Sequence, residues 1–274
     1  MEVILGIDIG ISTCKIAGFK DNNLCVSVQN STSGVEVINE TLDLFLKTND
    51  LCKDDIDKIM ITGVGSTYLT DDICGIKPVP TSEFDANASF GLYCSQSDNF
   101  TVVSMGTGTS YIHVDGEKKI HLGGIALGGG SIKGLCAASI GVDDYNTIQK
   151  LSLAGNVENI DLRMADISKE EIPGLPPEIT ASDFAKATAN ESKEDIAAGI
   201  VHLVIENILQ TGVLISKPLG VKELVLIGGL ADYPQCLTIS NLLKLMHKDI
   251  IFNIPDKPVY GSAIGAALNG MDRR

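Results

Sequence analysis

The sequence predicts a two-lobed α/β protein. Three observations carry that reading. A strand–hairpin–strand pattern occurs twice, its two copies roughly a hundred residues apart. The first strand of each copy ends in a glycine turn, at Asp8-Ile9-Gly10 and again at Met105-Gly106. Each copy is followed by a helical stretch and a further buried strand, the element mix of layered α/β domains. Residues 1–98 are expected to form the first lobe and residues 99–274 the second.

In the first module, residues 3–9 are apolar or alternating, Lys15 to Phe19 resumes strand character, Asp21-Asn22-Asn23 turns the chain, and Leu24 to Val28 follows. Three antiparallel strands joined by hairpins fit this pattern. Val35, Ile38, Leu42, Phe45 and Leu46 recur at helical spacing. Ile56 to Thr62 reads as a buried strand and Ser82 to Leu92 as a helix. In the second module Thr101 to Met105 and Tyr111 to Val114 are strands, Asp115-Gly116 is a hairpin turn, and Lys118 to Leu122 returns. Gly123 to Leu135 reads as a glycine-rich turn entering a helix. The polar, proline-bearing region 155–182 marks a surface excursion. A long apolar helix is expected from Lys193 to Leu214, a buried strand over Glu223 to Ile227, and a helix of small residues from Tyr260 to Leu268.

Charge and cysteines narrow the function classes. A net charge of −14 argues against nucleic acid or an anionic membrane as partner, yet leaves room for a local phosphate site. The start, MEVILGIDIG, has no basic region before its apolar run, which is not the pattern of a secretory leader. The seven cysteines form no C-x-x-C pair and fit neither a zinc site nor a disulfide framework. A cytoplasmic protein with reduced thiols is the expectation, with no membrane partner.

Four glycine-bearing elements could meet a nucleotide. In Asp8-x-Gly10-x-Ser12-x-x-Lys15, glycine lets the backbone approach a phosphate, Ser12 can donate, and Lys15 supplies a point charge. Asp8, at a strand end, is placed to hold Mg²⁺ through water. An ordinary hairpin with an acidic strand end reads the same way. Gly106-Thr107-Gly108-Thr109-Ser110 is a second turn, for which a plain hairpin is an equal explanation. The third, Gly123-Gly124 followed by Gly128-Gly129-Gly130 and Gly134, is the hardest to explain by structure alone. Consecutive glycines cost backbone entropy, and a helix N-terminus behind them is an anion site. Gly228-Gly229, after a buried strand, would let the backbone lie flat against a base or ribose.

Taken in this order, these residues resemble the actin, Hsp70 and sugar-kinase superfamily, and within it the type II pantothenate kinases. The matching pieces are Asp8-x-Gly10-x-Ser12-x-x-Lys15, Glu83-Phe84-Asp85-Ala86, Gly106 to Ser110, the Gly123 to Gly134 array, Ile172-Pro173-Gly174 and Gly261-Ser262-Ala263-Ile264-Gly265-Ala266. The resemblance spans nearly the whole chain. It implies an actin-like, ribonuclease H-like fold with a nucleotide cleft, and ATP with Mg²⁺ as cofactors. It implies phosphorylation of pantothenate, with Glu83 as the general base. Ser82 and Asp85 also form a helix capping box, which accounts for acids in that turn without catalysis. By the same resemblance Asp8, Gly10, Ser12, Lys15, Gly106, Gly128, Gly129, Gly130, Gly228 and Gly229 would meet ATP. Thr107, Thr109, Ser110 and His121 would meet the small-molecule substrate. The family pairs into homodimers through a long helix, for which Lys193 to Leu214 is the matching segment.

Two positions depart from the family pattern. Ile11 stands where the family has a second glycine. His121 stands where the family has an arginine that grips the pantothenate carboxylate. Arginine gives a permanent charge and a bidentate fork, whereas histidine gives one donor. Lys118 or Lys119 could supply the missing charge, and Lys119 shares a strand face with His121 if the strand is regular. A kinase of the same fold acting on another pantothenate-like alcohol, and a nucleotide-binding pseudokinase, are the competing readings. A zinc-bearing sugar kinase and an iron–sulfur activase are disfavoured for want of their cysteines.

Overall fold

The structure, a computed structural model, describes residues 2–30, 37–69, 71–170 and 172–271. The chain falls into two compact units. One comprises Met1–Asp98, Ile112–His121 and Pro255–Arg274, and the other comprises Asn99–Tyr111 and Leu122–Ile254. This differs from a single cut after residue 98: the C-terminal helix and the middle of one hairpin group with the first unit.

The first unit opens with β1 (Val3–Ile9), β2 (Cys14–Lys20), β3 (Asn23–Leu24) and β4 (Val28–Asn30). Two short pieces, both paired with β2, replace the single third strand read from sequence. Helix α1 (Ile38–Thr48) follows; Val35, expected to begin it, lies outside the described residues. Then come β5 (Lys58–Thr62), β6 (Val79–Pro80) and α2 (Glu83–Cys94). The strand order is β3-β2-β1-β5-β6, with β1 antiparallel to β2 and parallel to β5. Ile7, Ile9, Ile16, Ile59 and Ile61 of this sheet pack with Leu42 and Phe45 of α1.

The second module supplies β7 (Asn99–Met105), β8 (Thr109–Asp115), β9 (Lys118–Ile125), α3 (Gly129–Ile140) and α4 (Tyr145–Ala154). The excursion holds β10 (Leu162–Arg163), α5 (Met164–Ile167) and β11 (Thr180–Ser182). It is followed by α6 (Lys193–Ser216), β12 (Glu223–Ile227), α7 (Pro234–Leu243) and β13 (Ile251–Asn253). Strand order here is β13-β12-β7-β8-β9, with β12 parallel to β7. Taken from its other end, that order repeats β3-β2-β1-β5-β6 of the first sheet, to which β4 is an addition on β2, so the duplicated sequence pattern is a duplicated topology.

The long apolar helix is α6. Val201, Val204, Ile205, Ile208, Leu209 and Val213 are buried in the core of the second unit, with Val103, Met105 and Leu226 of its sheet. Among the described residues, Lys193–Leu219 is the one segment long and apolar enough to cross a membrane, and 67% of its most apolar window is buried inside the protein. That burial is what a core helix shows.

Helix α8 (Gly261–Gly270) closes the chain and packs in the first unit. A Cβ on Gly6 of β1 would run into the backbone carbonyl of Ala263, and one on Gly265 into that of Ala86 in α2. The helix therefore crosses β1 and α2 backbone to backbone, a spacing only small residues permit. This contact, invisible in linear order, is why residues 255–274 belong with the first unit. Gly265→Ala is expected to cost about 1–3 kcal/mol through overpacking. A thermal melt should show the loss, and an unchanged Tm would mean that α8 can shift freely.

Candidate active site

In the first unit the site is built on the β1–β2 hairpin. Register places Asp8 directly opposite Lys15. Lys15 Nζ lies 3.6 Å from Asp8 Oδ2, and both side chains are largely buried. Burial pushes the Asp8 carboxyl above its ordinary value of 3.8, while the Lys15 ammonium opposes that rise. The turn between the strands is closed by the Gly10 N–H, which donates to the Thr13 carbonyl at 3.0 Å. Ser12 is exposed at its tip, and Ile11 is 67% exposed, so the residue in place of a second glycine points to solvent.

A residue the sequence reading passed over stands beside Asp8. Gly63 follows β5 with φ of 87°, and a Cβ there would fall 2.6 Å from Asp8 Oδ1. The internal repeat could have revealed it. Thr62-Gly63 ends β5 as Ile227-Gly228 ends β12, and Gly228 has φ of 93°.

Glu83 opens α2. The N-cap is Ser82, whose hydroxyl oxygen accepts from the Asp85 N–H at 3.0 Å and whose O–H donates to Asp85 Oδ2 at 2.8 Å. The Ser82 half of the expected capping box is therefore present, while the Asp85 carboxylate takes the Ser82 hydroxyl, and Glu83 sits in a first turn that favours negative charge. Glu83 is half-buried. Its carboxyl is pushed above 4.5 mainly by burial, further by the Asp8 carboxylate, and is held back by Lys15. These three groups act on one another electrostatically, so the structure brings together Asp8, Lys15 and Glu83.

His121 also reaches α2. Its ring stacks on Phe84, centroids 4.0 Å apart and planes 19° from parallel. Lys119, two residues earlier on β9, meets the same helix. Its ammonium lies 3.3 Å from Ser89 Oγ and 3.8 Å from Asp85 Oδ1.

In the second unit the glycine array divides. Gly123 and Gly124 belong to β9, Gly128 caps α3, and Gly129 and Gly130 form its first turn. The Gly129 N–H donates to the Gly106 carbonyl at 2.8 Å, and the Gly130 N–H to the Thr107 carbonyl at 3.0 Å. A Cβ on Gly128 would fall 2.5 Å from the Thr107 carbonyl oxygen. The glycines thus let the β7–β8 turn lie directly on the start of α3. Two of the donors expected for phosphate already serve that contact. Thr107 is exposed and Ser110 half-buried. Thr109 is buried, and its hydroxyl donates to the Leu127 carbonyl at 2.8 Å. The hydroxyl's single proton holds the approach to α3, which leaves its oxygen able to accept. Gly228 presses on the backbone of Met105, whereas a Cβ on Gly229 would meet nothing within 4 Å.

A family profile described as Fumble matches residues 81–242. A type II pantothenate kinase of Bacillus cereus is 28% identical over 256 residues, covering 90% of this chain and 88% of that protein. One of Staphylococcus epidermidis is 26% identical over 243 residues, covering 85% and 87%. Among solved structures, the activator of 2-hydroxyisocaproyl-CoA dehydratase from Clostridium difficile, with bound ADPNP, superimposes with a TM-score of 0.68. It is 20% identical and covers 97% of this chain and 93% of its own. The fold is that of the two-lobed actin-like ATPases, as the repeated sheets indicate.

Replacing Lys15 by Met removes the cation that, among the described residues, acts on both carboxyls. The pKa values of Asp8 and Glu83, followed by carbon NMR titration, are expected to rise further above 3.8 and 4.5. Unmoved values would show that the lysine does not govern this pair.

Proposed function

Because the chain belongs to the Fumble family, we propose that it transfers the γ-phosphoryl group of ATP to the primary hydroxyl of pantothenate. The product is 4′-phosphopantothenate, and the reaction opens coenzyme A synthesis. The relatives named above support the substrate. The observation that carries the chemistry is Glu83, a half-buried carboxyl with raised proton affinity beside the Asp8–Lys15 pair.

Glu83 takes the proton of the attacking hydroxyl as its oxygen bonds to the γ-phosphorus. The bond from that phosphorus to the β–γ bridging oxygen breaks, and ADP departs. A base whose pKa is lifted toward the working pH accepts that proton more readily than an ordinary carboxylate. Lys15, the Gly10 turn and Ser12 serve the ATP phosphates in the first unit. By the resemblance, Gly106 and the start of α3 at Gly128–Gly130 in the second unit are assigned to the same phosphates, for which a helix N-terminus is suited. Gly229, with open space on its Cβ side, lies against base or ribose, while Gly228 serves the approach to β7. By the resemblance, His121 of the first unit and Thr107 and Ser110 of the second are assigned to the acceptor.

Asp8 fits a magnesium ion held through water. Burial disfavours its charge, and a divalent cation would restore it. Magnesium would supply positive charge to the phosphate oxygens. A cytoplasmic location goes with the seven unbridged cysteines. Homodimer formation rests on the resemblance, since α6 buries most of its apolar residues within its own unit and leaves Leu214 exposed; light scattering tests it.

Purified protein with Mg-ATP should phosphorylate pantothenate, and Glu83→Gln should lower kcat by about 10²–10⁴-fold. In the wild type kcat/KM should rise with pH through the Glu83 pKa, because only the carboxylate accepts a proton. The variant should lose that limb. Normal ATP binding without turnover in the wild type would sink the proposal. His121→Arg should lower KM for pantothenate with kcat nearly unchanged, as a fork on the carboxylate requires. A raised KM would mean that the histidine is adapted to a different acceptor.

A further inference from the structure

Glu83 lies between two anchored segments, and the anchoring side chains form one connected polar chain. Thr81 and Ser82 precede it. Asn269 of α8 donates from Nδ2 to Thr81 Oγ1 at 3.1 Å. Ser89 of α2 donates to Asn269 Oδ1 at 2.5 Å. Lys119 of β9 donates to Ser89 Oγ and reaches Asp85 Oδ1. Asp85 closes the chain through its other oxygen on the Ser82 hydroxyl. The path runs Thr81, Asn269, Ser89, Lys119, Asp85, Ser82, and so returns to the residue next to its start. All six residues belong to the first unit.

The energetics of this chain are modest. The Lys119–Asp85 pair is 3.8 Å long and the Asp85 side chain is 56% exposed, so the ion pair contributes little stability. Its geometry is a stronger matter. The links tie the first turn of α2 to β9 on one side and to α8 on the other. A base must be held within about half an ångström of its productive position, and a displacement near 1 Å costs on the order of a hundredfold in rate. The helix cap fixes Ser82 and Asp85 relative to each other, but it does not tie the helix end to β9. The His121–Phe84 stack is an apolar tie between them, and Lys119 supplies the polar one.

We propose that Lys119 is a positioning residue: through Asp85 and Ser89 it sets the first turn of α2, and with it the Glu83 carboxylate, against the reacting hydroxyl. The inference rests on the assignment of Glu83 as base. It requires no contact between Lys119 and the acceptor.

The test compares wild type, Lys119→Met, Lys119→Arg and Ser89→Ala with two acceptors, pantothenate and its uncharged alcohol analogue pantothenol. Lys119→Met should lower kcat about ten- to hundredfold for both acceptors with KM for ATP unchanged. Lys119→Arg should recover most of the loss, and Ser89→Ala, which keeps the charge, should show a smaller drop of the same kind. Melting curves identify any variant that fails to fold, in which case Ser89→Ala decides. A KM increase confined to pantothenate, with kcat preserved, would overturn the inference and make Lys119 an anion-binding group for the acceptor. Wild-type kcat in both Lys119→Met and Ser89→Ala would overturn it equally. If the wild type turns over neither acceptor, the functional reading fails, and that result is distinct from either outcome.

Discussion

The first unit depends on one steric constraint, the crossing of α8 over β1 and α2 at backbone contact. Gly6 and Gly265 make that crossing possible, because a single added methyl at either position would occupy the space of a carbonyl group. Small residues continue the seam, with Ala263, Ala266 and Ala267 of α8 and Ala86 and Ala88 of α2 all buried. The crossing sets α2 and the β1–β2 hairpin against one helix, and the Glu83 carboxyl comes within electrostatic reach of Asp8 and Lys15. A bulkier seam would push α2 outward and separate the acid from the pair. The same crossing carries Asn269 to Thr81 and Ser89.

Duplicated topology explains much of the glycine pattern. Strands β5 and β12 occupy the same place in their sheets, and each ends at a glycine with positive φ lying against the central strand, Gly63 on Ile9 and Gly228 on Met105. These glycines are required by the close approach of backbones at equivalent points of the repeat. The array at Gly128 to Gly130 has a similar origin, since the β7–β8 turn rests on it. Packing need and ligand chemistry coincide here, because a backbone free of side chains is what both a neighbouring strand and a phosphate demand.

Electrostatics in the first unit are dominated by burial. Two carboxyls, Asp8 and Glu83, share one ammonium, and desolvation outweighs the attraction of Lys15 for both. An arrangement with a surplus of buried negative charge stores a demand for cations. It also keeps the proton affinity of Glu83 above that of a solvated carboxylate, which suits a proton acceptor.

How far the site could be read in advance varies by residue. The places of Asp8, Lys15 and Glu83 were legible because each belongs to a local pattern, a strand end, the opposing strand position or a helix first turn, where neighbours in sequence set the geometry. The duplicated strand pattern likewise fixed the fold class, since hydrophobic alternation and hairpin turns are local signals. Other features were decided only in three dimensions. The use of the Thr109 hydroxyl depends on where the Leu127 carbonyl comes to lie, and the Gly129 and Gly130 N–H groups are taken by a turn more than twenty residues earlier. The apolar composition of α6 suits an interface and a core alike, and its burial against Val103 and Leu226 is a tertiary fact. The grouping of residues 255–274 with the first unit, the Phe84–His121 stack and the Lys119 links join segments far apart in the chain. Hydrophobic periodicity and capping residues specify elements, but which elements touch is determined by where glycines and alanines let backbones meet.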